Sequence, residues 1–194
     1  MTKIVFNGQS MINPDKISSD DTLNIARHEV GHAVVRLILF KEPGIKKITI
    51  NPEGTGTLGY VRHDGFGNDQ RITKTKLLNR ITVSLAGMAA EKVYTGEFST
   101  GNHSDLQNAT SVAKKIIESG MSNLGLGTIK SEGSFLEKEI QDEINNIFDM
   151  CFKEAIKIIE DNRDKIDNIV EYLMEKKEIT EAELIKCFHK NLKR

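Results

Sequence analysis

Five consecutive residues, His28-Glu29-Val30-Gly31-His32, have the types and the spacing for metal-assisted hydrolysis. On an α-helix, positions i and i+4 lie one above the other on the same face, so the two histidines can offer imidazole nitrogens to one ion. Zinc suits them. It accepts imidazole and carboxylate ligands, and its catalytic sites take three ligands from the protein and leave a fourth position to water. Zinc lowers the pKa of that water from about 15.7 towards about 7, and a carboxylate at Glu29 can take its proton as a carbonyl carbon is attacked. The HExxH pattern arises by accident in on the order of one such chain in a hundred, so its setting matters. Here Leu23, Ile25, Ala26, Val30, Ala33, Val34, Leu37 and Ile38 recur around it at helical spacing, and Lys41-Glu42-Pro43-Gly44 ends the run. Gly31 costs that helix about 1 kcal/mol relative to Ala, which predicts a close neighbour at its backbone.

The elements that must position this motif follow from the rest of the pattern. Lys3 to Phe6 predicts a short strand, Asn7 to Ser18 is polar and irregular, and Ser18, Ser19, Asp20 and Asp21 supply caps and early negative charge for the motif helix. Ile45 to Ile50 and Thr57 to Val61 predict two strands paired across Asn51-Pro52-Glu53-Gly54. Such a small sheet is either a structural hairpin or an edge on which an extended peptide can add itself. His63 to Asp69 reads as a loop in which His63 is a weak metal candidate.

One helix is expected over Thr75 to Tyr94, stopped by Gly96, and another after Ser104, whose capping box with Gln107 would put Asp105 in the first turn. Four glycines fall from Gly120 to Gly133 with both ends counted, predicting a mobile loop. Beyond it, Ser134 and Glu137 cap a long helix with Leu136, Ile140, Ile144, Ile147, Cys151, Ala155 and Ile158 on one face. Asp161 to Lys165 makes a turn, Ile166, Ile169, Val170 and Leu173 mark a shorter helix, and Thr180 with Glu183 caps a last one carrying Leu184, Ile185 and Phe188. The fold class expected is α+β, predominantly helical, with a small β-sheet and no internal repeat.

Composition narrows the functions. The 194 residues are 38% hydrophobic and 28% charged, ordinary for a globular chain, and the net charge of -1 gives no electrostatic reason for a nucleic-acid or anionic-membrane partner. Cys151 and Cys187 form no CxxC pair and predict free thiols in a reducing compartment. The longest apolar run, Ala33 to Phe40, is interrupted by Arg36 and falls far short of the roughly 20 residues that span a bilayer. With no signal-peptide pattern from Met1 to Asn7, a cytoplasmic location is expected.

The motif leaves the third ligand open. The metzincin arrangement needs Gly at position 35 and His at position 38, where the chain has Val35 and Ile38. A downstream glutamate on the second helix is possible only at Glu91, because Glu53 lies in a turn, and Asp105 has a plainer role in complementing a helix dipole.

Several blocks, His28 to Ala33, Leu85-Ala86-Gly87-Met88-Ala89-Ala90-Glu91, Thr100-Gly101-Asn102-His103-Ser104-Asp105-Leu106 and Gly120-Met121-Ser122, resemble the peptidase domain of the FtsH family. Leu58-Gly59-Tyr60 and the late Asn162-Arg163-Asp164-Lys165 resemble it too, and the similarity runs from about Asp21 to the C-terminus. The resemblance implies a zincin-like peptidase domain over residues 21–194 behind an N-terminal extension of residues 1–20. It also implies one Zn2+ per chain, with Asp105 as third ligand, and Glu91 as a carboxylate behind a ligand histidine. His103 is a rival ligand by chemistry, to which the family pattern gives no such role.

Family members carry an ATPase domain and usually membrane helices before the peptidase, and form rings of six, whereas this chain has no Walker A sequence. Ala86 and Met88 stand where the family usually has Gly and Arg, and the loop from Gly120 to Gly133 is shortened. The activity implied is zinc-dependent, ATP-independent endopeptidase action on peptides, disordered segments or proteins delivered by a separate unfoldase, with homo-oligomers open. The competing class is a non-catalytic, zinc-stabilised regulatory or protein-binding module. Glu29 speaks against it, because a structural zinc is more often closed by four protein ligands.

Overall fold

The Ser18 hydroxyl accepts a hydrogen bond from the Asp21 N–H at 3.0 Å and so opens helix α1, Ser19–Leu39, with Asp20 and Asp21 in its positive first turn. A computed structural model describes this helix among residues 18–51, 59–63, 72–125 and 134–190, with the backbone alone for residues 63 and 134–136. The predicted strand at residues 3–6, the turn at Pro52–Gly54 and the Ser134 cap lie outside the described residues and side chains. The chain divides into two units, Met1–Gly65 with Asn162–Arg194, and Phe66–Asp161.

In the first unit α1 buries Ala26, Val30, Gly31, Ala33 and Val34, as its periodicity requires, but also Val35 and Arg36, while Ile38 is 41% exposed. Arg36 explains the shift of the face. Its Nε donates to the Pro43 carbonyl and its guanidinium lies 5.5 Å from the Phe40 ring centre, so this long side chain, and not Ile38, covers the helix end.

Strand β1, Ile45–Thr49, follows and is central in a sheet of three, between β2, Tyr60–His63, and β3, Glu178–Thr180, both antiparallel to it. Thr49 faces Tyr60 and Glu178 in register, and a bulge at Lys46 carries β2 one residue further, so that His63 pairs with Ile45 instead of starting a loop. Helix α6, Arg163–Lys176, is separated from the preceding helix by Asn162 alone. It packs along α1 and buries the predicted Ile166, Ile169, Val170 and Leu173. The Thr180–Glu183 capping box opens α7, Glu181–His189, as expected; Leu184 and Phe188 are buried and Ile185 is not.

The second unit is helical. The single helix predicted over 75–94 is two, α2, Lys74–Ser84, and α3, Ala86–Thr95, joined at Leu85, whose ψ of -4° is short of helical. The break follows Thr82-Val83-Ser84, all weak helix formers, where the Thr82 hydroxyl bonds back to the Leu78 carbonyl at 3.1 Å. Gly96 ends α3 as predicted, in the left-handed conformation with φ 78°. Helices α4, His103–Glu118, and α5, Ser134–Asp161, complete the unit around Leu77, Ile81, Leu85, Ala113, Ile116, Ile144, Ile147 and Cys151. At the end of α5 it is Ile159, not Ile158, that is fully buried. Among the described residues no helix is long and apolar enough to cross a membrane.

Candidate metal centre

Helix α1 turns the motif into geometry within the first unit. The Nε2 atoms of His28 and His32 are 3.1 Å apart, their rings meet edge to face at 4.7 Å between centres, and both side chains are half-buried. Two ligand atoms of a tetrahedral zinc ion are about 3.3 Å apart at bond lengths near 2.0 Å, so the pair has the separation such an ion requires. Glu29, between them in sequence, is buried with 8% exposure. A neighbour that sequence reasoning missed is Gly59, immediately before β2. A Cβ built there would lie 3.1 Å from Glu29 Cγ, and the only signal for it was its place in Leu58-Gly59-Tyr60.

The other predicted residues, Glu91, His103 and Asp105, belong to the second unit. Glu91 is 8% exposed on α3 and accepts three hydrogen bonds from one short segment: the Ser99 N–H at 2.7 Å, the Ser99 hydroxyl at 2.9 Å and the Asn102 side-chain amide at 2.8 Å. Ser99 in turn accepts from the Gly101 N–H at 3.2 Å, and the Asn102 amide also donates to the Ser99 carbonyl at 2.9 Å. These bonds shape a 3-10 turn, Thr100–Asn102, that runs directly into α4.

The helix therefore starts at His103, one residue before the predicted Ser104 cap, and Asn102 at its N-cap gives no side-chain capping bond. A buried carboxylate eleven residues upstream holds the side chain of Asn102, the residue from which α4 starts. Asp105 still falls in the first turn and is half-buried, whereas His103 is exposed. Ser99 and Asn102 were not found from sequence, because nothing local marks them as partners of Glu91.

A family model described as Peptidase family M41 matches residues 15–187. Similar proteins include the ATP-dependent zinc metalloprotease FtsH 2 of Phytoplasma mali, 37% identical over 180 residues, with 87% of this chain and 26% of the relative covered. FtsH 2 of a Thermoanaerobacter species is 36% identical over 181 residues, covering 93% and 35%, and FtsH of Bacillus subtilis is 35% identical over 193 residues, covering 88% and 29%. The chain thus spans 26%, 35% and 29% of the lengths of these relatives. With the match extending over most of its residues, this chain belongs to peptidase family M41 and is an FtsH-family peptidase domain.

Proposed function

We propose that this chain is a zinc-dependent metalloendopeptidase of the HExxH type that hydrolyses peptide bonds in peptides and unfolded proteins, with no nucleotide needed for the cleavage itself. The observation that carries the reading is the pair of histidine nitrogens 3.1 Å apart on one helix turn, with Glu29 beside them in the chain. Family membership and the zinc metalloprotease names of the relatives support it.

In this reading His28, His32 and Asp105 hold one zinc, Asp105 on the strength of the FtsH resemblance. When bound, zinc supplies a Lewis acid for the scissile carbonyl and a more acidic water. Glu29 takes the proton from the attacking water and returns it to the leaving nitrogen. Glu91 is a positioning residue: its hydrogen bonds to Ser99 and Asn102 fix the turn from which Asp105 springs. Strand β2 has β1 on one side only among the described residues, so its other edge offers main-chain groups to an extended peptide.

The ATP-dependent names of the relatives support a separate ATPase or unfoldase as partner for folded substrates, and homo-oligomers belong to the same reading. The net charge of -1 favours neither nucleic acid nor membrane as partner, and the two free cysteines suit a cytoplasmic setting.

The test is a digest of casein and of short peptides by the purified protein, zinc-loaded or treated with a chelator, read by mass spectrometry beside a metal analysis. One zinc per chain, cleavage that chelator abolishes and its return on adding zinc are expected. Zinc-loaded protein that cuts nothing would leave the non-catalytic zinc module, and chelator-resistant cleavage would remove the metal from the mechanism.

A further inference from the structure

Gly59 has a side-chain problem and no backbone one. Among the described residues the positive-φ glycines are Gly44, Gly96, Gly120 and Gly125, and Gly59 is not among them, so no left-handed backbone reserves its place for glycine. Space is what it lacks. A Cβ built on its backbone would lie 2.7 Å from Ile25 Cγ2, 3.0 Å from the Thr49 carbonyl oxygen and 3.1 Å from Glu29 Cγ. One contact is with the neighbouring strand and two are with the motif helix, and neither Thr49 O nor the branched Ile25 methyl can step aside cheaply. Glu29, with its rotatable Cγ, is the group that can, and it is itself buried at 8% exposure. Displacing a reacting group by about 1 Å can cost on the order of a hundredfold in rate.

We propose that Gly59 is a positioning residue for the general base: by presenting no side chain, it lets the first residue before β2 lie against the Glu29 stem and fixes where that carboxylate sits. The inference rests on the reading of Glu29 as base. It adds a steric determinant from a different element, outside the HExxH motif.

The experiment compares the zinc-loaded parent with Gly59→Ala on a quenched-fluorescence peptide and measures zinc content in both. We expect kcat to fall about ten- to a hundredfold with KM within about twofold and zinc content unchanged. Melting supplies a readout independent of turnover: Gly59→Ala should lower Tm, and by less when Glu29→Ala has removed the Cγ that the new methyl meets. If Gly59→Ala alone does not fold, Gly59→Ala with Ile25→Ala removes the 2.7 Å contact and keeps the one with Glu29. Its kcat should still lie well below that of Ile25→Ala alone. An active parent whose Gly59→Ala keeps full kcat, equal Tm losses with and without the Glu29 side chain, or a double variant as fast as Ile25→Ala would each overturn the positioning role. A zinc-loaded parent with no activity would instead remove the endopeptidase reading, and this role with it.

Discussion

The two units hold their chemistry by different physical means. In the first, a capped amphipathic helix carries His28, Glu29 and His32 on consecutive turns, and the neighbour at Gly59 acts through the volume it leaves empty. In the second, Asp105 depends on a turn held by one buried carboxylate, which gathers three donors from Ser99 and Asn102. A buried polar hub loosens when its acceptor is lost, because the exposed Ser99 donors turn to water while the buried Asn102 amide is left a partner short.

The widest separation between the units comes from removing the reacting groups themselves. Glu29→Gln keeps the size of the side chain and loses the proton acceptor, so peptide hydrolysis should fall by about 10²- to 10⁴-fold while zinc content stays at the parental level. His32→Ala should lose zinc and activity together. A verified Glu29→Gln preparation that still cleaves at the parental rate would end the proposed mechanism.

Next in size is the hub. Glu91→Ala removes the acceptor of all three bonds and leaves the buried Asn102 amide with the Ser99 carbonyl alone, which should cost the second unit about 1 to 3 kcal/mol and weaken zinc binding by about 10- to 100-fold. Hydrogen exchange at residues 101–105 should rise, with α1 protected as before. A zinc titration of Glu91→Ala that overlays the parent would show that the turn does not govern the ligand. Asp105→Ala is the companion, expected to exceed the ~0.3 to 1 kcal/mol of a lost first-turn charge.

What the sequence discloses follows the same division. The N-cap at Ser18, the Thr180–Glu183 box and the stop at Gly96 are contacts between residues about a turn apart, the buried stripe of α6 repeats at that same spacing, and all four are legible. Strand β3 was missed because it is three residues long and its partners, Lys47 to Thr49, lie some 130 positions away. The start of α4 was misplaced for a related reason, since its true support is Glu91. At Leu85 the apolar period continues unbroken through a point where the backbone does not, and only the Thr82-Val83-Ser84 run hinted at it. For the site, the helix motif gave His28, Glu29 and His32, while the functional reading of Asp105 came only from family resemblance.

A smaller effect distinguishes the units by their thiols. Burial pushes the Cys151 thiol up to about 11, and it sits in the second-unit core with its Sγ 3.7 Å from the Leu78 carbonyl oxygen. Cys187, in the first unit, is only half-buried, with burial raising its thiol as well. At pH 8 a disulfide reagent should label Cys187 at least about tenfold faster, leaving Cys151 to react at the rate at which the second unit opens. Equal labelling would mean that the second-unit core is far looser than its packing.

The smallest effect belongs to the first unit and to a contact that the sequence disclosed in full. Glu183 accepts from the Thr180 N–H and the Thr180 hydroxyl, both at 2.8 Å, and these bonds hold its carboxyl below the ordinary value of 4.5. A lowered folded-state pKa means that the ionised group is favoured by folding, so its contribution is fully present above the ordinary value and drains away as pH falls through the lower one. Thr180→Ala should cost about 1 kcal/mol at neutral pH, the usual worth of an N-cap. Glu183→Gln should lower Tm slightly at pH 7, with the difference from the parent narrowing as pH falls below the ordinary carboxyl value and the parent's carboxyl takes up its proton. Because Glu183 is only half-buried, solvent screens its charge and the shift should shrink further in high salt. A gap between parent and Glu183→Gln that stays constant from pH 7 to pH 3 would show that packing, and not the charge of the capping box, secures α7.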